Sequence, residues 1–157
     1  MNRNIEDQLA SEGFYVSTTV GWSMFPMLRN RRDRVVIRPL SGERLKKYDL
    51  PLYRRPDGKY ILHRVVGVRD GYYIIRGDNT YRKEKVPDEW VLGCVAEFYR
   101  NGKHKSAQGR GYRLYARLWN WLFPLRTAAY HLVVFAARVK RKLFGPHKKE
   151  KTPEETK

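Results

Sequence analysis

Cysteine is nearly absent from this sequence: Cys94 is the only one in 157 residues. That excludes a disulfide framework and a cysteine-rich zinc site. The four histidines, at 63, 104, 131 and 147, are dispersed, so no cluster has the spacing of metal ligands. Acid is lacking over 98–149, a stretch with 13 Lys and Arg but neither Asp nor Glu. The opening stretch MNRNIEDQLASEGF has no apolar run, so it reads as neither a secretory signal nor a transmembrane anchor.

What is present suffices for one core. Hydrophobic residues make up 41% and charged residues 31%, which argues against wholesale disorder. The net charge is +17, concentrated in the acid-free stretch. Such a block seeks an anionic surface: lipid head groups, nucleic acid or an acidic partner.

The first hundred residues read as short strands between turns. The strand candidates are 14–20, 34–38, 49–55, 59–68, 72–76 and 91–100. Pro51 suits a sheet edge or a strand entrance. Asp70-Gly71 signals a tight hairpin, and Asn101-Gly102 closes the set. This spacing predicts a mainly β fold rather than alternating strands and helices.

The pattern changes after Gly109-Arg110-Gly111. Leu114, Leu118, Trp121, Leu122, Leu125, Ala129 and Leu132 recur in steps of three and four, the period of one helical face. Arg113, Arg117, Arg138 and Arg141 line another face. The expectation is a basic amphipathic helical region over 110–144, broken near Pro124, with a disordered tail over 145–157. Three readings of it stay open. The helix packs on the β core, lies in a membrane interface, or crosses the bilayer through 118–137. Tyr115, Trp119, Trp121 and Tyr130 beside arginines favour the interface. Asn120, Pro124, Arg126 and His131 weigh against crossing.

Three elements bear on chemistry. In Gly21-Trp22-Ser23-Met24-Phe25-Pro26, a glycine permits an unusual backbone angle and a proline fixes the exit. A Ser held between them is rigid, but its hydroxyl needs a base to become a nucleophile. His63, within Leu62-His63-Arg64-Val65, titrates near neutrality and so can take and return a proton. Asp78, in Gly77-Asp78-Asn79, is a turn residue first, and also an acid able to hold an imidazole tautomer.

Together, in this order, Gly21-x-Ser23-Met24-x-Pro26…Asp33, His63-Arg64-Val65 and Gly77-Asp78-Asn79 resemble the signal peptidase I family. The closest pattern is its Ser-His branch, found in archaea and the endoplasmic reticulum, within the wider signal-peptidase/LexA-like superfamily. The likeness covers about 14–100 and includes Lys47-Tyr48-Asp49-Leu50 and Val91-Leu92-Gly93. It implies a signal-peptidase-like catalytic β domain over 1–106, and the basic amphipathic pattern makes the helical region over 110–144 the expected membrane attachment. It implies Ser23 as nucleophile and His63 as base, at the place where bacterial members and LexA-type repressors have a Lys. It further implies Asp78 as orienter of the His and the Ser23 backbone N–H as an oxyanion donor. Met24 and Phe25 become substrate-pocket candidates. Glu84 is a loosely matched second acid, Lys59 a solvated residue, and Asp33 a structural partner for a neighbouring Arg. No cofactor and no metal are implied. The expected partners are a precursor protein or peptide with a leader segment, bound as an added strand, and an anionic membrane surface. No specific nucleic acid is expected.

Typical members enter the membrane through an N-terminal span. This sequence has no such run before Ser23, so attachment through 110–144 is expected instead, either interfacial or as a single span. The competing function is a catalytically inactive module of the same fold that binds membrane or nucleic acid through its basic region.

Overall fold

The computed structural model describes residues 4–144, and side-chain environments through 142. The tail expected at 145–157 lies outside the described residues. The chain forms two compact units that divide between Trp121 and Leu122.

The first unit is mostly β. A short helix, α1 (Ile5–Glu12), precedes strands β1 (Tyr15–Thr18), β2 (Arg34–Arg38), β3 (Pro51–Arg54), β4 (Tyr60–Leu62), β5 (Arg64–Arg69), β6 (Tyr72–Arg76) and β7 (Glu84–Pro87). A 3₁₀ turn leads into β8 (Val91–Arg100) and β9 (Lys103–Ser106), followed by helix α2 (Arg110–Trp121). One antiparallel sheet runs β1-β2-β8-β3-β4, with β9 paired to β8, and curls into a half-barrel. The other sheet runs β5-β6-β7. β1 and β4 are thus the two ends of the curled sheet, and the ends are where backbone groups remain open to a further strand.

Most predicted strands are present. Residues 34–38 form β2 as expected, and Pro51 stands at the entrance of β3, where its missing N–H breaks no ladder. The Asp70-Gly71 turn joins β5 to β6, pairing Arg69 with Tyr72. One predicted strand, 59–68, is two. β4 pairs with β3 in the curled sheet, β5 pairs with β6 in the small one, and His63 lies between them. The chain changes sheets at His63, which takes that residue out of both ladders.

The apolar core has two clusters, the second of which draws Tyr53 from the curled sheet against the small one. Met24, Leu28, Val35, Ile37, Leu52 and Phe98 fill one; Tyr53, Val65, Tyr73, Ile75 and Val86 fill the other. α1 adds Leu9 to the first. It ends where Gly13 adopts φ 72° and donates its N–H to the Leu9 carbonyl at 3.1 Å.

α2 belongs to the same compact unit as the β structure, which runs to Trp121. Tyr112 and Ala116 are buried, and Tyr115 and Trp119 hydrogen-bond to Asp78. Those aromatic side chains carry polar tips that need partners, and the β unit supplies them.

The second unit contains α3 (Phe123–Phe144), which begins one residue after the break at Leu122 and has Pro124 in its first turn. Proline is tolerated there because the first N–H groups of a helix have no intrahelical acceptor. The stretch 118–137 is therefore divided between α2 and α3. Among the described residues, no helix is long and apolar enough to cross a membrane.

Candidate active site

Ser23 sits in a loop, residues 19–33, tied together at its base. Thr19 donates its hydroxyl to the Arg29 carbonyl at 2.8 Å, and its carbonyl accepts the Arg31 N–H at 2.7 Å. Asp33, fully buried, accepts from the Arg29 backbone N–H at 2.9 Å and from its guanidinium at 2.7 Å. Burial alone would raise the Asp33 pKa, but the hydrogen bonds from Arg29 prevail and hold it below the usual range. This is the structural Arg partner expected for Asp33.

Gly21 has φ 92°, a conformation that side chains rarely adopt, and it donates its N–H to the Asn30 side chain at 2.9 Å. The Phe25–Pro26 peptide is cis. Met24, Met27 and Leu28 point into the core and anchor the loop from below.

Ser23 and His63 line one cleft of about 220 Å³, between β1 and β4. Its other walls include Tyr15, Val35, Ile37, Leu52 and Tyr60, with Ile5 of α1 beside them. Met24, expected as a substrate-pocket residue, does not line this cleft. It is only 5% exposed and belongs to the core beneath the loop. Phe25 does not line this cleft either; it is exposed and packs against Trp22 with ring centroids 5.9 Å apart.

Gly77 is the point where His63 and the Ser23 loop converge. A Cβ added there would lie 2.7 Å from the Ser23 carbonyl oxygen and 3.1 Å from both Nε2 and Cδ2 of His63. Only glycine allows the turn after β6 to come this close. The next residues fasten it: Asn79 donates its N–H to the Ser23 carbonyl at 2.7 Å. The three motifs of the sequence thus meet, at Ser23, His63 and Gly77–Asn79.

The acids around His63 are differently employed. Both carboxylate oxygens of Asp78 receive Arg64, from Nε and Nη2, each at 2.7 Å. Arg64 is fully buried and also donates to the Tyr112 hydroxyl at 2.7 Å, while its guanidinium lies 5.2 Å from the Tyr112 ring centre. The Tyr112 hydroxyl in turn donates to the Tyr48 carbonyl. Tyr115 donates to Asp78 Oδ2 at 3.1 Å, and Trp119 to the Asp78 carbonyl at 2.9 Å. Asp78, expected as orienter of His63, is therefore held in a bidentate pair with the residue after the histidine. Glu84, on β7, accepts from the Tyr53 hydroxyl at 2.8 Å and from Arg55 Nε at 2.6 Å. Burial works to raise the Glu84 pKa, but the Arg55 and Tyr53 hydrogen bonds outweigh it and keep the carboxylate ionised.

Burial lowers the pKa of His63 below its ordinary value of 6.5. The Glu84 carboxylate opposes this, Arg55 reinforces it, and Asp78 opposes it more weakly than Glu84 does. His63 is accordingly a neutral imidazole at neutral pH, the form that can accept a proton. Lys59 is exposed and paired with Asp57 at 2.9 Å.

Two contributors carried no role in the sequence reading. Arg64 lies inside the His63-Arg64-Val65 motif, and its position beside a candidate base within an apolar strand was the available signal. Gly77 reads as a turn residue, and only the three-dimensional approach of Ser23 and His63 reveals its contact. No protein-family model matches this chain, nor does any curated protein sequence.

Proposed function

We propose that this protein is a serine endopeptidase of signal-peptidase type, cutting an extended leader segment from a precursor at a membrane surface. The observation that carries this reading is the convergence of Ser23, His63 and Gly77 at a cleft between the two end strands of the curled sheet.

His63 removes the Ser23 hydroxyl proton as Ser23 Oγ attacks the scissile carbonyl. Charge then develops on the carbonyl oxygen, and the Ser23 backbone N–H is the nearest candidate donor to it. The tetrahedral intermediate collapses as His63 delivers the proton to the leaving amine. An acyl-enzyme remains, and water, deprotonated by His63, releases the shortened product and restores Ser23.

Asp78 acts as a positioning residue. With Arg64 it holds the turn whose Asn79 N–H fixes Ser23, on the strand junction that carries His63. Glu84 favours the imidazolium that forms during the reaction, by charge. The open edges of β1 and β4 suit a substrate strand bound by main-chain hydrogen bonds. The aliphatic walls suit short apolar side chains next to the cut.

The membrane part of this reading rests on α3. Leu125, Leu132, Val133 and Phe135 are all more than 60% exposed on a helix that also presents Arg138, Lys140, Arg141 and Lys142. Apolar exposure beside cationic residues fits an anionic bilayer interface.

Mass spectrometry of cells carrying the wild-type or Ser23→Ala protein tests the activity and names the substrate together. Leader-bearing precursors accumulate in the variant if the reading holds. Identical peptide patterns in the two strains contradict it.

A further inference from the structure

A second cleft, about 390 Å³, lies in the β unit between the β2–β3 connection, β8 and α2. Six cationic side chains line it: Arg38, Arg44, Lys46, Lys47, Arg113 and Arg117. Only two acids, Glu43 and Asp49, stand against them. The Asp49 carboxylate accepts the Lys46 backbone N–H at 2.7 Å. Arg38, Arg44 and Lys46 have acidic partners, Glu97 at 3.8 Å, Asp88 at 3.0 Å and Glu43 at 3.2 Å. Among the described residues, no salt bridge reaches Lys47, Arg113 or Arg117. The Lys47 ammonium lies 5.2 Å over the Tyr48 ring.

Like charges gathered in a cleft repel, and a bound anion relieves them. Arg113 and Arg117 are four apart on α2, so their guanidinium groups share one helix face. Lys47 comes from a different segment, the β2–β3 connection. A carboxylate satisfies one guanidinium fork. A phosphate group offers more oxygens and more charge, and so accepts from several directions at once. We propose that this cleft binds a phosphate-bearing anion through Arg113, Arg117 and Lys47. The proposal does not rest on the peptidase reading. The group comes either from a soluble phosphate compound or from an acidic phospholipid headgroup, which Leu114, Leu118 and Trp121, exposed along the same helix, would accompany.

The test is calorimetric titration of the full chain with pyrophosphate at physiological ionic strength. Wild type is expected to bind saturably. Arg113→Gln with Arg117→Gln should weaken binding at least about tenfold, in line with the loss of hydrogen bonds to a charged group. Lys47→Gln should weaken it as well. All three side chains are exposed, and an unchanged melting curve verifies that each variant folds. The pair Arg31→Gln and Arg32→Gln removes equal charge elsewhere and should change affinity less than twofold. Absence of saturable binding overturns the proposal. So does equal weakening by the two double variants, or tighter binding of a glutamate-rich peptide. A second arm names the source, using phosphatidylcholine vesicles containing phosphatidylglycerol. Release of the protein from them by pyrophosphate, together with weaker vesicle binding by the cleft variant, supports a lipid headgroup. Saturable pyrophosphate binding with vesicle attachment unmoved by either supports a soluble phosphate compound.

Discussion

The two units invert the usual logic of burial in opposite ways. The β unit buries charge: Asp33, Arg64 and Asp78 are at most 4% exposed. Helix α3 exposes Leu125, Leu132, Val133 and Phe135. A buried polar group or an exposed apolar patch is the informative departure from the rule. In the β unit Asp33 pairs with Arg29 and Asp78 with Arg64, and these pairs fasten the segments around Ser23 and His63. In α3 the apolar side chains await an apolar neighbour. The contrast teaches that the first unit uses its polar groups to hold a geometry, while the second leaves apolar groups exposed, which the proposed reading assigns to attachment.

The largest expected effect separates the two units. Ser23→Ala should lower turnover of a soluble leader peptide by roughly 10⁴-fold or more, since the nucleophile is gone. The melting temperature should stay put, which differential scanning calorimetry checks. Replacing Leu132 and Phe135 in α3 by Glu should leave that soluble turnover intact. If it fell as far as in Ser23→Ala, the division of roles would be wrong.

Breaking the buried pair comes next. Asp78→Ala leaves the Arg64 guanidinium buried without its carboxylate, which costs about 3–5 kcal/mol. Denaturant unfolding should register that loss, whereas the exposed Lys59→Ala should barely register. A change under about 1 kcal/mol for Asp78→Ala would show that the pair is not what holds this turn.

Gly77→Ala is smaller and sharper. Its methyl would press on the Ser23 carbonyl at 2.7 Å and on the His63 ring at 3.1 Å. A displacement on that scale should cut kcat/KM about 10²-fold. Steady-state assays that find wild-type rates would remove Gly77 from the site.

Attachment by α3 follows. Each large aliphatic or aromatic side chain buried in an interface contributes about 1.5–3 kcal/mol. Leu132→Glu with Phe135→Glu should therefore reduce co-sedimentation with phosphatidylglycerol-containing vesicles by about tenfold or more. Unaltered co-sedimentation would leave the exposed apolar residues without this role.

The pH profile moves least. On the proposed reading neutral His63 is the active form, and burial sets its pKa below 6.5, so kcat/KM should rise with pH to a plateau already reached near neutrality. Glu84→Gln removes a carboxylate that raises the His63 pKa, so the midpoint should fall further. A midpoint at or above 6.5 in the wild type would contradict the buried, neutral base.

Much of the β unit was legible because the local rules agree with the fold there. Residues 34–38 are β-branched between arginines, and Asp70-Gly71 has the chemistry its hairpin demands. β7 was missed because Glu-Lys-Val-Pro has one core-facing residue and ends in proline. β9 was missed because all four of its side chains are exposed, so it carries no apolar alternation. α1 has too short an apolar stripe, with Ile5 and Leu9 alone facing inward. The break at His63 is invisible in a continuous apolar run, since a strand that changes sheets keeps its composition.

The candidate site was legible as three motifs and illegible as a network. Ser23 and His63 announce their chemistry by type. The partner of Asp78 does not, because a bidentate pair between Arg64 and Asp78 depends on where β5 and the turn after β6 come to lie. The helices differ for a similar reason. Period alone gives α2 and α3 the same apolar face, but the hydroxyl of Tyr115 and the indole N–H of Trp119 find acceptors on Asp78. That pairing is a tertiary event.

The most direct measurement is rapid-quench mass spectrometry of the intact protein turning over a leader peptide. An acyl adduct on Ser23, matching the amino-terminal product less one water, is the predicted result, with neither adduct nor product in Ser23→Ala or His63→Ala. Continued cleavage by either variant would contradict it.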